Sequence, residues 1–302
     1  MRKLVYMSEA LNETKYLFKK YKVKANKNLG QNFLIDDDAL QDIVNGANIN
    51  SNDLVIEIGP GLGSLTKLLL KKAKKVVCIE LDKKMVKILK DRFILDKNLE
   101  IINNDVLKLD INAIIKEQKK QNLDIENVKI VANLPYYIAT PIIMHLIENN
   151  LDIESITVMI QKEVAERLIT IPGTKDTGAI TYTIYYYCEG TKIREVDNTC
   201  FMPEPEVTSE VINLQMRKTP PVKVEDKKVF FNIIKSAYMQ RRKTLINSLS
   251  NVGVFQNKEQ GEKILKSIGL RVDIRPDKMR IEDFARLTEI FLKNIKNDNS
   301  QK

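Results

Sequence analysis

The stretch Asn133-Leu134-Pro135-Tyr136 carries groups that together can hold the exocyclic amine of a planar base. The side-chain oxygen of Asn133 and the carbonyl of Leu134 are two acceptors for the two hydrogens of such an amine. Pro135 fixes the backbone and has no competing N–H, and Tyr136 presents an aromatic face for stacking. Because Asn-x-Pro also occurs in ordinary turns, this stretch predicts a nucleobase site only together with other motifs.

A glycine-rich turn, residues 57–63, lies upstream between a predicted strand and a predicted helix. Its glycines, among them Gly59 and Gly61, let the backbone approach a ligand closely. Ser64 stands where a dinucleotide fingerprint has its third glycine, which argues against a nicotinamide cofactor. Glu80 ends the next strand, where it can accept hydrogen bonds from both ribose hydroxyls, and Asp105 follows the third strand, where it can bind an adenine amine. This set of motifs predicts S-adenosylmethionine as the cofactor.

Strands and helices alternate in the first half of the chain, which predicts a parallel sheet with helices on both faces. The predicted strands span 54–58, 76–80, 99–103, 129–132 and 156–161, and the predicted helices span 36–45, 64–71, 83–93, 111–118, 141–149 and 162–169. Two further strand-like segments, 181–187 and 207–215, are expected to form an antiparallel edge. Ligands of such sheets bind at the carboxyl ends of the strands, where the motifs lie. The fold class predicted is therefore α/β, with a Rossmann-like sheet.

A Pro-containing segment, residues 218–221, marks a domain boundary. The pattern beyond it is helical, with predicted helices at 226–237, 243–249, 259–268 and 281–295. We therefore predict a catalytic domain over 1–219 and a small helical, RNA-binding domain over 220–302. Residues 1–26 form a basic extension of the first domain, and residues 8–22 within it have the pattern of a basic amphipathic helix.

Positive charge is concentrated at the two ends of the chain, whose net charge is +9. Residues 1–30 hold eight Lys and Arg against two Glu, and residues 222–302 hold eighteen against ten Asp and Glu, so the middle is net negative. Such asymmetry favours a polyanionic partner such as nucleic acid. A lysine-rich solubilising surface is the alternative explanation.

The composition argues against several other classes of protein. No apolar run approaches the roughly twenty residues of a membrane span, and the charged N-terminus lacks a signal-peptide core, which predicts a cytoplasmic protein. Cys78, Cys188 and Cys200 are unevenly spaced, so neither a disulfide framework nor a metal site is predicted. His145 is the only histidine, which makes a histidine-based triad improbable.

These motifs resemble those of the ribosomal RNA adenine N6,N6-dimethyltransferases, and within that family they are most similar to the small-subunit enzymes. The resemblance extends from about residue 27 to about residue 250. It rests on Leu29–Leu34, Glu57–Gly63, Glu80, Asp105, Asn133–Tyr136, Gln161–Ala165, Phe201–Pro205 and Arg241–Leu245.

The resemblance implies a class I S-adenosylmethionine-dependent methyltransferase that acts as a monomer. It implies methylation of the N6 amines of two adjacent adenosines, in a hairpin loop near the 3′ end of small-subunit rRNA, within an immature small subunit. The residues that it implies in contact with the cofactor are Asn32, Leu34, Gly59, Glu80, Asp105 and Asn133. Phe201 corresponds to an aromatic residue that closes over the target adenine, although core packing is an equal alternative for that ring. Arg241, Arg242 and Lys243 are expected to contact RNA phosphates, or else to form a solvated basic face.

Two other functions agree with the same residues. One is dimethylation of an adenosine in large-subunit rRNA, which confers macrolide resistance; the segments 29–31, 133–134 and 161–163 favour the small-subunit activity instead. The other is a ribosome-assembly factor for which methylation is secondary.

Overall fold

The chain divides into two units in the computed structural model, which describes residues 8–26, 29–174, 176–240 and 243–299. The first unit contains the described residues up to Ala165 together with Thr191–Met216. The second contains Glu166–Gly190 and the described residues from Arg217 onward. This division differs from the predicted boundary at 219/220, because 166–190 cluster with the C-terminal helices rather than with the sheet.

Nine strands are present in the described residues. They are β1 Phe33–Leu34, β2 Asp53–Ile58, β3 Lys75–Glu80, β4 Leu99–Asn103, β5 Asn127–Asn133, β6 Ser155–Gln161, β7 Cys188–Val196, β8 Phe201–Met202 and β9 Ser209–Met216. Seven of them form one sheet in the order β4-β3-β2-β5-β6-β9-β7, and β1 pairs with β8. Strands β2 to β6 are parallel, whereas β9 is antiparallel to β6, with Ile156 opposite Leu214. The predicted α/β sheet is therefore confirmed, and so is the antiparallel strand near 207–215.

Twelve α-helices lie in the described part of the chain. They are α1 Glu9–Tyr21, α2 Asp37–Gly46, α3 Ser64–Leu69, α4 Lys83–Arg92, α5 Ile111–Gln121, α6 Ala139–Glu148, α7 Lys162–Ile169, α8 Ala179–Tyr187, α9 Lys227–Tyr238, α10 Leu245–Asn251, α11 Lys258–Ser267 and α12 Ile281–Asn299. Side chains cap several of these helices: Asp36, for example, accepts a hydrogen bond from the Ala39 amide at 2.7 Å, which satisfies one free N–H of α2. Not one of these helices has the length and apolar character needed to cross a membrane.

Buried apolar residues of the strands and of the helices beside them form the core of the first unit. Val55 and Val76 of the sheet pack with Ile43 of α2 and Leu69 of α3 in one hydrophobic cluster. These residues are fully buried because a parallel sheet is covered on both faces, which explains the nearly continuous apolar runs in its strands.

The order of the strands reverses between β2 and β5. From β2 the chain moves outward through β3 to β4, and it then returns to place β5 on the other side of β2. Such a reversal leaves a crevice at the carboxyl ends of the two central strands. The turn at residues 57–63 and the Asn-Leu-Pro-Tyr stretch both open onto this crevice.

The segment 181–187 was predicted to be a strand and is a helix, α8. Its β-branched and aromatic residues favour a strand locally, but Tyr182 and Tyr186, one helical turn apart, are buried in the core of the second unit with Phe230 and Phe284. The Tyr182 hydroxyl donates to the Met279 carbonyl at 2.6 Å. Tertiary burial therefore overrides the local preference.

Candidate active site

A pocket in the first unit lies at the carboxyl ends of β2 and β5. All eleven residues that the sequence placed at a catalytic or cofactor site line this pocket. They are Asn32, Leu34, Gly59, Gly61, Glu80, Asp105, Asn133, Leu134, Pro135, Tyr136 and Phe201. The structure therefore brings these residues together, while their individual roles stay predictions.

The turn Glu57–Gly63, hereafter the cofactor loop, is shaped by glycines in the left-handed region. Gly59, Gly61 and Gly63 have φ values of 68°, 57° and 83°, which explains the G-x-G-x-G spacing. The Gly59 amide donates to the Ile79 carbonyl at 2.9 Å, which ties the loop to β3. A Cβ on Gly59 would have only the Asn133 carbonyl near it, at 3.9 Å, so the bare backbone leaves room for a ligand.

Glu80 holds the cofactor loop as well as facing the pocket. One carboxylate oxygen accepts from the Gly61 amide at 3.0 Å, and the other accepts from the Asp82 amide at 2.8 Å. Burial raises the pKa of Glu80, and these two amide bonds oppose that rise. A carboxylate has about four acceptor positions, so those that remain are available to ribose hydroxyls.

Asp105 lies on the other side of the pocket, after β4. Its Oδ1 accepts from the Leu107 amide at 3.0 Å and caps a short 3-10 helix, Val106–Lys108. The Asn104 side chain accepts from the Asp105 amide at 2.8 Å. The carboxylate is therefore fixed at the pocket wall, where the predicted contact with an adenine amine can be made.

Asn133 is the last residue of β5 and Leu134 follows it, and each is hydrogen-bonded to another segment. The Asn133 Nδ2 group donates to the Asn32 carbonyl at 3.3 Å, so the amide oxygen of Asn133 is turned away from that contact. The Leu134 amide donates to the Met159 carbonyl at 3.1 Å. The Asn133 side chain and the Leu134 backbone are thus each held by a residue distant in sequence.

The two aromatic candidates differ in their accessibility. Tyr136 is half-buried, and its hydroxyl lies 2.7 Å from Ser209 Oγ, while burial raises the pKa of its phenol. Phe201 is only 2% exposed and packs in a core cluster with Leu34 and Val211. Phe201 is therefore packed in the core and also lines the pocket, and its contact with adenine stays a prediction.

Glu57, the first residue of the cofactor loop, has no role predicted from the sequence and is buried. It is 1% exposed and accepts a hydrogen bond from Thr66 Oγ1 at 2.6 Å and another from Cys78 Sγ at 3.4 Å. Burial raises its pKa to about 7, against an ordinary value of 4.5. The sequence feature that could have indicated this buried carboxyl is an acidic residue within the apolar run of β2.

Glu57→Gln is expected to remove a pH dependence of stability. The pKa in the folded chain, about 7, exceeds the ordinary value of 4.5, so the stabilisation is complete below pH 4.5 and is lost as the pH rises through 7. The loss amounts to about 3 kcal/mol. Denaturant unfolding of both proteins at about pH 5 and about pH 7.5 measures most of this loss. Parallel pH profiles for the two proteins would contradict the assignment.

Of the three residues predicted to contact RNA phosphates, the structure describes one. Arg241 and Arg242 are outside the described residues. Lys243 is exposed, and its amide donates to the Gln240 carbonyl at 2.8 Å, just before α10 in the second unit. The expected phosphate contacts stay predictions.

A glycine turn after β2, an acidic residue at the end of β3, another after β4 and an Asn-Leu-Pro-Tyr stretch that begins at the end of β5 define a class I methyltransferase site on a Rossmann-like sheet. Residues 22–293 match the family described as ribosomal RNA adenine dimethylase, and the chain belongs to that family. The predicted enzyme class, an S-adenosylmethionine-dependent rRNA adenine methyltransferase, is thereby confirmed.

Individual relatives agree with this assignment. Over 285 residues the chain is 45% identical to the ribosomal RNA small subunit methyltransferase A of Clostridium perfringens (strain SM101 / Type A), with 94% of this chain and 97% of the relative covered. The crystal structure of a dimethyladenosine transferase from Plasmodium falciparum has a TM-score of 0.72 at 26% identity, covering 86% of this chain and 97% of that chain. The 23S rRNA methyltransferase ErmE, at 24% identity and a TM-score of 0.66 over 85% of this chain and 98% of its own, shares the fold.

Proposed function

We propose that this chain transfers methyl groups from S-adenosylmethionine to the N6 amines of two adjacent adenosines, in a hairpin loop near the 3′ end of small-subunit rRNA. The observation that carries the proposal is the position of Asn133, whose amide group is oriented by Asn32, and of Leu134 beside the cofactor loop. The 45% identity to a small-subunit methyltransferase over nearly the whole chain supports this substrate over large-subunit rRNA. The substrate is an immature small subunit, and the enzyme acts as a cytoplasmic monomer in ribosome biogenesis.

The pocket fits the methyl donor. Gly59 and Gly61 provide a cradle without Cβ atoms, Glu80 can accept from ribose hydroxyls, and Asp105 can accept from the adenine amine. Once bound, S-adenosylmethionine supplies an electrophilic methyl group on a sulfonium. The chain itself contributes position, since a correctly placed nucleophile and methyl group account for a large part of the rate.

The acceptors of Asn133 and Leu134 act on the nucleophile. N6 of adenine is weakly nucleophilic because its lone pair is delocalised into the ring. When the acceptors of Asn133 and Leu134 bind both amine hydrogens, they favour a tetrahedral nitrogen whose lone pair points toward the methyl group. A C–N bond forms as the C–S bond breaks, and the proton passes to water because the methylated amine is acidic. Asn133 is uncharged, so the site has these acceptors without a fixed anion beside the RNA.

Basic residues of the first unit support an RNA substrate. Lys15 and Lys19 of α1 are exposed, as are Lys22 and Lys24 just after it. Neutralisation of phosphates by such lysines releases counterions, so binding of the RNA should weaken as salt concentration rises.

The proposal is tested by offering two substrates together with labelled cofactor. Immature small subunits should receive up to four methyl groups, two on each of two adjacent adenosines, whereas naked large-subunit rRNA should stay unlabelled. Mapping of N6,N6-dimethyladenosine in rRNA from cells with and without the gene locates the product. Labelling of large-subunit rRNA alone would overturn the proposal in favour of the resistance activity.

A further inference from the structure

Helix α1, which precedes the first motif of the family, packs on the cofactor loop. One hydrophobic cluster joins residues of α1 and the segment after it to β1, to the cofactor loop and to α4. Its members are Leu17, Phe18, Tyr21, Val23, Ala25, Phe33, Leu62, Met85 and Ile88. The inner side of α1 therefore supports the loop to which the methyl donor binds, while its lysines lie on the outer side.

An aromatic contact connects α1 to the cofactor loop through Phe33 of β1. The rings of Phe18 and Phe33 meet edge to face, with centroids 5.4 Å apart. Phe33 in turn lies against Gly61, where a Cβ would stand 3.2 Å from the ring. The Phe33 ring, which contacts Phe18, therefore packs against the backbone of Gly61, whose left-handed φ of 57° few residues other than glycine adopt.

A partly buried ion pair connects α1 to Leu62 of the cofactor loop. Arg92 of α4 donates from Nη1 to the Leu62 carbonyl at 2.5 Å, and its Nη2 lies 2.6 Å from Glu13 Oε1. The Arg92 side chain is only 9% exposed. Removing one partner of such a pair leaves an uncompensated buried charge, so the position of Arg92 against Leu62 depends on Glu13.

Both ends of α1 are anchored to the same unit. At its start the amides of Glu9 and Ala10 donate to the Asp37 carboxylate at 2.7 and 2.9 Å. At its end Lys84 donates to the Lys22 carbonyl at 2.7 Å. The helix is therefore fixed relative to the cofactor loop rather than resting on it at a single point.

We infer that α1 is a brace that holds the cofactor loop in its ligand-binding conformation, with Glu13 and Phe18 as positioning residues. The inference rests on the proposed function in that the methyl donor binds this loop. Linkage makes the effect reciprocal: if docked α1 favours donor binding, bound donor must equally favour docked α1.

Glu13→Gln is expected to raise the Kd for S-adenosylmethionine about five- to tenfold, within the usual range of coupling between sites. Isothermal calorimetry on the full chain measures the Kd. Glu9→Gln is the matched control, because Glu9 is an exposed partner of Lys67 on the same helix and an exposed ion pair contributes little. In methylation assays the KM for the donor should rise in the Glu13 variant with kcat unchanged, which a general loss of folded enzyme would not produce.

Phe18→Leu should also raise the Kd for S-adenosylmethionine. Tyr16→Leu is its control, because Tyr16 is 60% exposed on the same helix.

Hydrogen exchange on the wild-type chain tests the brace without a variant. The amides of α1 should exchange more slowly once the donor is added. If the wild type binds the donor but the Kd is unchanged in both variants, the brace alone is overturned. The same follows if the wild type binds the donor and hydrogen exchange in α1 does not change. Absence of donor binding by the wild type overturns the proposed function and the brace together.

Discussion

Asn133→Ala is expected to lower kcat by a factor of about 10²–10³, the usual loss when one preorganised hydrogen-bonding group is removed from an active site. The Kd for S-adenosylmethionine should rise by no more than a few-fold, since the cofactor loop, Glu80 and Asp105 keep their own hydrogen bonds. The reason is geometric: Nδ2 of Asn133 bonds the Asn32 carbonyl, and this orients the oxygen that receives the amine hydrogen.

Single-turnover methylation and calorimetry on the same preparation separate the two quantities. Asn133→Asp retains the shape and an acceptor but loses the donor to Asn32 and adds a negative charge. It should therefore retain part of the activity that the alanine variant loses. Equal losses of kcat and of donor affinity in the alanine variant would mean that Asn133 only shapes the cofactor pocket.

Lys129→Met is expected to destabilise the first unit by about 3–5 kcal/mol, the typical cost of breaking a buried ion pair. Lys129 is 2% exposed in the middle of the sheet, and its Nζ lies 2.9 Å from the carboxylate of Asp53, which is fully buried. Asp53 also accepts from the Asn50 amide at 2.7 Å. Without the lysine, this buried carboxylate loses its oppositely charged partner.

Denaturant unfolding followed by circular dichroism measures the effect, and Lys74→Met is the matched control. Lys74 pairs with Asp124, but both side chains are about half exposed, so the control should lose less than about 1 kcal/mol. Adding Asp53→Asn to Lys129→Met should restore part of the lost stability, because the stranded charge is removed. Equal losses for Lys129→Met and Lys74→Met would mean that Asp53 is compensated by its amide partners alone.

The amino-acid sequence by itself determined the sheet and the place of the site. Strands β2 to β6 were predicted within a few residues, because buried parallel strands read as short apolar runs between turns and helices. Since the carboxyl ends of parallel strands meet at one edge, motifs after β2, β3, β4 and β5 had to converge there. All eleven predicted residues accordingly line one pocket.

Contacts between distant segments were decided by the tertiary structure alone. Pairing of β1 with β8 places Phe201 in the core, and the fold gives Glu80 the Gly61 amide as a partner. It also turns an apparent strand into α8 by burying Tyr182 and Tyr186. A local hydrophobic pattern indicates that a residue is buried, but not which other residue it contacts. The hydrogen bond between Asn32 and Asn133 joins residues 101 positions apart, so neither segment taken alone has a signature of it. The same holds for the contacts of α1 with the cofactor loop.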